Sequence, residues 1–206
     1  LIKSIEHDPS LKVRIAATMA LSKYTLFAEM GRIQASKKRD IERVLIKLVN
    51  DTKEDEELRR RALETVSVIS IPEAKLLIEE AYGSDSHSMK VGAVFSMGQS
   101  CDTSWLPILY KEVSNKDPEI KYEVARALGE MGEQGSVSYL ATLAEDLDPQ
   151  VAASALDALG KIGGKESRGI LEKYRQKGDK SLASAAEDAL EYLDEEEKPI
   201  IFDYQR

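Results

Sequence analysis

Apolar positions along this chain recur in a helical rhythm, and the rhythm itself repeats. The segment from Asp117-Pro118-Glu119-Ile120 to Ala127-Leu128-Gly129 returns 31 residues later as Asp148-Pro149-Gln150-Val151 to Ala158-Leu159-Gly160. Further steps of 31 fall on Asp55, Ser86 and Asp179. Taking these five residues as place zero, place three is Leu58, Met89, Ile120, Val151 and Leu182. Place seven is Ala62, Ala93, Val124, Ala155 and Ala186, and place eleven is Val66, Met97, Leu128, Leu159 and Leu190. Residues so spaced lie on one face of a helix. Place ten is small throughout (Thr65, Ser96, Ala127, Ala158, Ala189), so a neighbouring helix can approach closely there.

A sixth copy starts at Ser10 and supplies Val13, Ala17, Ala20 and Leu21. It lies 45 residues before Asp55, 14 more than the register. The surplus, near residues 27–40, is expected to lengthen the first repeat's second helix and its loop. Shorter first helices are expected at about Ile41–Asp51, Pro72–Ala81, Ser104–Val113, Ser136–Asp146 and Glu166–Gln176, set off by turn signals such as Met131-Gly132-Glu133-Gln134-Gly135 and Ile162-Gly163-Gly164. The Asp or Ser at place zero suits a helix N-cap, and Pro118 and Pro149 suit the first helical position, where no amide hydrogen is needed. These acidic residues therefore read as caps rather than catalytic carboxylates.

The unit Asp-Pro-x-(Val/Ile)…Ala-Leu-Gly-x-(Ile/Met)-Gly, clearest at Asp117–Gly132 and Asp148–Gly163, resembles the HEAT-like repeat first associated with phycobilisome lyases. The resemblance covers Leu1 to about Leu193. It implies an all-α fold, a right-handed α-α superhelix of about six stacked repeats whose second helices line a concave surface. It also implies that the basic residue at place four (Arg14, Arg59, Lys90, Lys121, then Ala152 and Ala183) is structural and pairs along the stack. Place eight is apolar in Leu63, Val94, Ala125 and Leu156 but charged in Glu187, which marks a capped C-terminal end facing water. Leu1–His7 reads as the remnant of a first helix, so the natural protein is expected to continue upstream. The domain expected is thus 1–193, followed by a tail, 194–206, that is acidic and then apolar.

Composition supports helices: 42% hydrophobic residues but only 6% aromatic. A net charge of -8 disfavours nucleic acid, whose binding depends on Lys and Arg neutralising phosphates. The single cysteine, Cys101, excludes an internal disulfide framework and fits a reducing compartment. No apolar run approaches the ~20 residues needed to span a bilayer, and no signal-peptide pattern is present. A cytoplasmic protein with no membrane contact is the expectation.

Outward places on the second helices are expected to carry function. Places five and nine give Ile15, Met19, Arg60, Val91, Phe95, Tyr122 and Arg126, an apolar and aromatic strip with an arginine rim. That composition suits a surface binding another protein or peptide. Val91 and Phe95 lead the list. The runs Arg59-Arg60-Arg61 and Lys37-Lys38-Arg39 read as solvated surface in an acidic protein. After the acidic run Asp194–Glu197, the segment Pro199-Ile200-Ile201-Phe202 is expected to fold back, to dock on a neighbouring molecule in self-association, or to act as a recognition peptide.

No catalytic, cofactor or metal set stands out. His7 and His87 are far apart and Cys101 has no partner cysteine; HEAT-repeat hydroxylases carry paired His-Glu motifs for iron, and this chain contains no His-Glu dipeptide. The expected function is a non-catalytic protein-interaction module, an adaptor or scaffold. A lyase or chromophore-handling subunit is the alternative that the resemblance implies, and nucleic-acid binding ranks below both.

Overall fold

The computed structural model describes residues 1–176 and 179–196, and every regular element among them is helical. Each repeat becomes a helix pair. In order these are α1 (Ile2–His7) with α2 (Leu11–Glu29), α3 (Ala35–Asn50) with α4 (Glu56–Val66), and α5 (Pro72–Tyr82) with α6 (His87–Gln99). Then come α7 (Leu106–Glu112) with α8 (Pro118–Met131), α9 (Val137–Leu143) with α10 (Pro149–Ile162), and α11 (Gly164–Gln176) with α12 (Lys180–Glu196). Short 3-10 turns, Thr103–Trp105 and Gln134–Ser136, lead into α7 and α9. The pairs fall into two compact units, Leu1–Trp105 and Leu106–Arg206. Within the first, α2 packs on α4 and α4 on α6; within the second, α8 packs on α10 and α10 on α12.

Each second helix starts where the register places a cap. Asp55, Asp117 and Asp148 accept hydrogen bonds from the amides two residues on, at 3.0, 2.9 and 2.8 Å. Ser86 accepts from the Met89 amide at 3.1 Å, and Asp179 from those of Ser181 and Leu182 at 2.9 and 3.1 Å. These bonds satisfy amides that no preceding helical turn can reach. At the other end, α8 stops on Gly132, whose φ of 68° is left-handed and open to glycine at little cost.

Places three, seven and eleven form the core. Leu58, Val66, Val124, Leu128, Val151 and Leu159 are completely buried, and each such side chain contributes about 1.5–3 kcal/mol. Place ten does what its small size implies. A Cβ added at Gly129 would stand 2.8 Å from Ala158 Cβ, and one at Gly160 2.9 Å from Ala189 Cβ. Successive second helices thus meet with backbone almost touching side-chain stubs.

The basic residue at place four is structural in three ways. Arg14 donates from Nε to the Ile5 carbonyl at 2.7 Å and grips both Glu54 oxygens at 2.9 and 2.7 Å. Those bonds raise its pKa. Arg59 Nε donates to the Val49 carbonyl at 3.0 Å, closing the end of its own first helix. Lys121 pairs with Asp146 of the next repeat, and Lys90 lies 5.0 Å from the centre of the Tyr82 ring. In the second unit Tyr174 adds a buried tie, its hydroxyl donating to the Ala144 carbonyl at 2.7 Å.

Three expectations need revision. The 14-residue surplus lengthens α2, as anticipated, but it also extends α3 back to Ala35 and leaves only a short turn between them. Val13 is 43% exposed and Leu182 half-buried, at a place that is buried in the four repeats between them. Ala20, the first repeat's place ten, is exposed as well. At the far end Glu187 is exposed and α12 runs on to Glu196, while residues 197–206 lie outside the described set.

Candidate protein-binding surface

The expected strip falls on both units. In the first, Met19 of α2 is 49% exposed and Ile15 is half-buried. On α4 the charges are organised into one network. Arg60 Nε donates to Glu64 Oε1 at 2.9 Å, and Arg61 donates to Glu57 at 2.7 Å and to Glu64 Oε2 at 2.8 Å. Glu64 therefore serves two arginines from one helical turn. The Arg60 stem lies across the backbone of α6, where a Cβ at Gly92 would be 2.8 Å from Arg60 Cγ.

Val91 is not a surface residue: its exposure is 0%. On α6 the run Val91-Gly92-Ala93-Val94 is buried in its entirety, as are Met89 and Ser96-Met97-Gly98. A helix that is apolar around nearly its whole circumference is a core helix, so the face that reads as outward is closed. Phe95, one turn on, is half-buried.

In the second unit Tyr122 and Arg126 of α8 come together. The guanidinium carbon stands 5.8 Å from the Tyr122 ring centre, and Arg126 Nη1 donates to both Glu123 oxygens at 3.2 and 3.0 Å. Glu123 is buried, so a carboxylate inside the helix row holds the arginine against the ring. Ser154 Oγ of α10 donates to the Tyr122 carbonyl at 3.4 Å, tying the same turn to its neighbour. Reading by place overlooked Glu123. The spacing of Glu123 and Arg126 by three, and of Arg60 and Glu64 by four, was the available signal.

Other reactive groups stand apart. His7, His87 and Cys101 are all exposed, and no three His, Cys, Asp or Glu side chains among the described residues are grouped to hold a metal ion. Lys75 donates to Asp102 Oδ2 at 2.8 Å and to Ser104 Oγ at 2.7 Å, with its charge 5.2 Å from the Trp105 ring centre. The Lys75 hydrogen bond, aided by the Ser104 amide, holds the Asp102 carboxyl at about 2. No described helix is long and apolar enough to cross a membrane.

Capped helix pairs on a common register, stacked through second helices, define a helical-repeat solenoid. The chain belongs to the HEAT repeats family, whose model matches residues 74–148 and 106–191. Deoxyhypusine hydroxylase from Danio rerio is 34% identical over 110 residues, 52% of this chain; the chain spans 36% of that relative's length. Among solved structures, the complex of CpcE and CpcF of phycocyanin lyase from Nostoc sp. PCC7120 is similar with a TM-score of 0.62 at 18% identity, covering 93% of this chain and 75% of that one. A designed armadillo repeat protein in complex with the peptide (KR)4 is similar with a TM-score of 0.54 at 18% identity, covering 93% and 98%. Likeness at these identities is a likeness of fold.

Proposed function

We propose that the chain is a non-catalytic binding module that captures a protein segment on the exposed turns of its second helices. The observation that carries this reading is the Tyr122–Arg126 pair. Both residues are partly exposed, and Glu123 holds the guanidinium in place before any partner arrives. Tyr and Arg are the side chains that most often dominate binding energy, and anchors fixed in advance lose little entropy on binding. In the first unit Met19 and Ile15 offer apolar contact, with half-buried Phe95 as a further anchor. The designed armadillo neighbour, solved in complex with the peptide (KR)4, is a helical-repeat protein that binds a peptide, and this agrees with the reading.

A displayed library of random peptides selected on the immobilised chain tests it. Enriched peptides are expected to bind the wild type and to lose about tenfold or more in affinity against Tyr122→Ala or Arg126→Ala, read by fluorescence polarisation. Circular dichroism confirms that each variant is folded. Failure to enrich any peptide, or peptides indifferent to both substitutions and to Met19→Glu, would refute the reading. The chromophore-handling alternative, which the likeness to phycocyanin lyase supports, predicts a changed bilin absorption spectrum on mixing; the binding module predicts none.

A further inference from the structure

The basic residue at place four meets a carboxylate of the adjoining repeat at Arg14 and at Lys121, which take Glu54 and Asp146. Lys90 instead faces the Tyr82 ring. Arg59 departs from the series. Its Nε donates to the Val49 carbonyl, and both terminal nitrogens of the guanidinium are left without an acceptor among the described residues. The register shows why. Asp146 stands two residues before the cap Asp148, whereas the residue two before the cap Ser86 is Ser84, which carries no charge. Asp85, at the place of Glu54, is shorter by a methylene, is exposed, and makes no ion pair with Arg59.

A cavity lies where that carboxylate is missing. It measures about 220 Å³, against about 100 Å³ for the one beside the Arg14–Glu54 pair. The end of α3, the last turns of α5 and the start of α6 enclose it, all within the first unit. Val49, Leu77 and Met89 make its apolar side. On its polar side Arg59 stands half-buried, beside the Asn50 side-chain amide and the Thr52 hydroxyl, neither of which has a hydrogen-bond partner among the described residues. The carboxylate lining the cavity, Glu80, makes no ion pair with Arg59. A guanidinium partly withdrawn from water and lacking a counter-charge suits an oxyanion, since its planar fork matches the two oxygens of a carboxylate. The Glu54 and Asp146 pairs show that a carboxylate fits this corner of the repeat. Charge selects the kind of anion. With Glu80 on the wall, a singly charged carboxylate is favoured over a phosphate, whose larger charge Glu80 repels more strongly.

We infer that this cavity receives the carboxylate of an acidic side chain from a partner protein, on a segment whose neighbouring apolar residue lies against Leu77 and Met89. The partner supplies from outside the charge that an adjoining repeat supplies at Arg14 and Lys121. Arg59 binds it through its terminal nitrogens while Nε keeps its bond to the Val49 carbonyl, so nothing in the repeat has to open. Asn50 and Thr52 add donors at the rim. The site does not involve Tyr122 or Arg126, and different variants read the two.

Nuclear magnetic resonance of the isotope-labelled full chain tests this with two probes, acetyl-Leu-Glu-Leu-amide and its glutamine counterpart. The glutamate probe is expected to shift the backbone amides of Thr52, Ser84 and Ser86 saturably at about millimolar concentration, and the glutamine probe to bind about tenfold more weakly. Arg59→Gln is expected to lose this preference. Glu80→Gln removes the opposing charge and is expected to tighten the glutamate probe about threefold. Ser84→Asp puts a carboxylate where Asp146 stands in the second unit, and by filling the site from within it is expected to abolish binding. Circular dichroism checks that each variant is folded. Because Glu80→Gln and Ser84→Asp move binding in opposite directions, loss of structure cannot imitate both. An absence of shifts, equal binding of the two probes, a Ser84→Asp variant that binds like the wild type, or the same shifts from inorganic phosphate at equal concentration would each overturn the inference.

Discussion

Stacking of α8 on α10 and of α10 on α12 depends on the glycines twelve places after Asp117 and Asp148, and Gly129→Ala measures that dependence. Alanine is the better helix former by about 1 kcal/mol in a helix interior, so propensity alone predicts a more stable protein. The structure predicts the opposite. A Cβ at Gly129 would lie 2.8 Å from Ala158 Cβ and 2.9 Å from Ala158 Cα, and the second of these is backbone, which no rotamer change can move aside. Unstrained carbon contacts are about 3.5–4.0 Å, so α8 and α10 must separate by something near 1 Å. Overpacking of this kind typically costs about 1–3 kcal/mol and here also opens contacts along two whole helices. The expected net change is a loss of about 1–2 kcal/mol. Gly169→Ala provides the control. Gly169 sits in α11, is exposed, and has no atom within 4 Å of an added Cβ, so there the propensity gain of about 1 kcal/mol stands alone. Urea unfolding followed by circular dichroism reads both variants against the wild type on a common slope. A Gly129→Ala protein as stable as wild type, or more so, would show that the helices have slack and that close approach does not hold the stack.

Two further substitutions probe local features. Cys101 follows the C-terminal turn of α6 with φ of 50°, a left-handed conformation that costs a side-chain-bearing residue about 1–2 kcal/mol. Cys101→Gly relieves that strain against a smaller entropic loss in the unfolded chain, so the urea midpoint is expected to rise by the equivalent of about 0.5–1 kcal/mol. Asp102, held at about 2 by Lys75 and Ser104, titrates below its ordinary 3.8. Its folded pKa is depressed, so its stabilisation is complete above about pH 4 and disappears as pH falls toward 2. The carboxylate is 40% exposed, so screening limits the effect to under about 1 kcal/mol. The stability gap between wild type and Asp102→Asn is therefore expected at pH 6 and absent near pH 2.

The register of capped helices was readable because it rests on local physics. An Asp that caps, a Pro at the first helical position and an apolar residue at places three, seven and eleven each act within one helix pair. Glu187 was readable for the same reason: one charge at an otherwise apolar place has only water to face. Val91 was misread because periodicity reports the face turned to a helix's own partner and is silent about its flanks. Those flanks touch neighbouring repeats, and the signal for them is weaker: four successive apolar or small residues, Val91 to Val94, with a glycine among them. The start of α3 at Ala35 could not be told from loop, because Ala35–Asp40 is polar throughout except for one alanine.

Counting charges by type also misjudges what this protein offers a partner. Arg14, Arg59 and Lys121 look like a basic ladder in sequence, yet each is engaged inside the stack, by a helix-end carbonyl or by the carboxylate of an adjoining repeat. Arg60 and Arg61 are neutralised by Glu57 and Glu64 on their own helix. A polyanion would have to break these pairs in the first unit, and in the second it would meet the whole excess of negative charge. A peptide meets a different surface. In the second unit the partly exposed Tyr122 and the Arg126 guanidinium already held by Glu123, and in the first the exposed Met19, would on the proposed reading each be open to contact without loss of an ion pair. The same pairing explains why the fold was easier to read than the function: the charged residues at the register's own places, such as Asp117, Arg14 and Lys121, build the repeats.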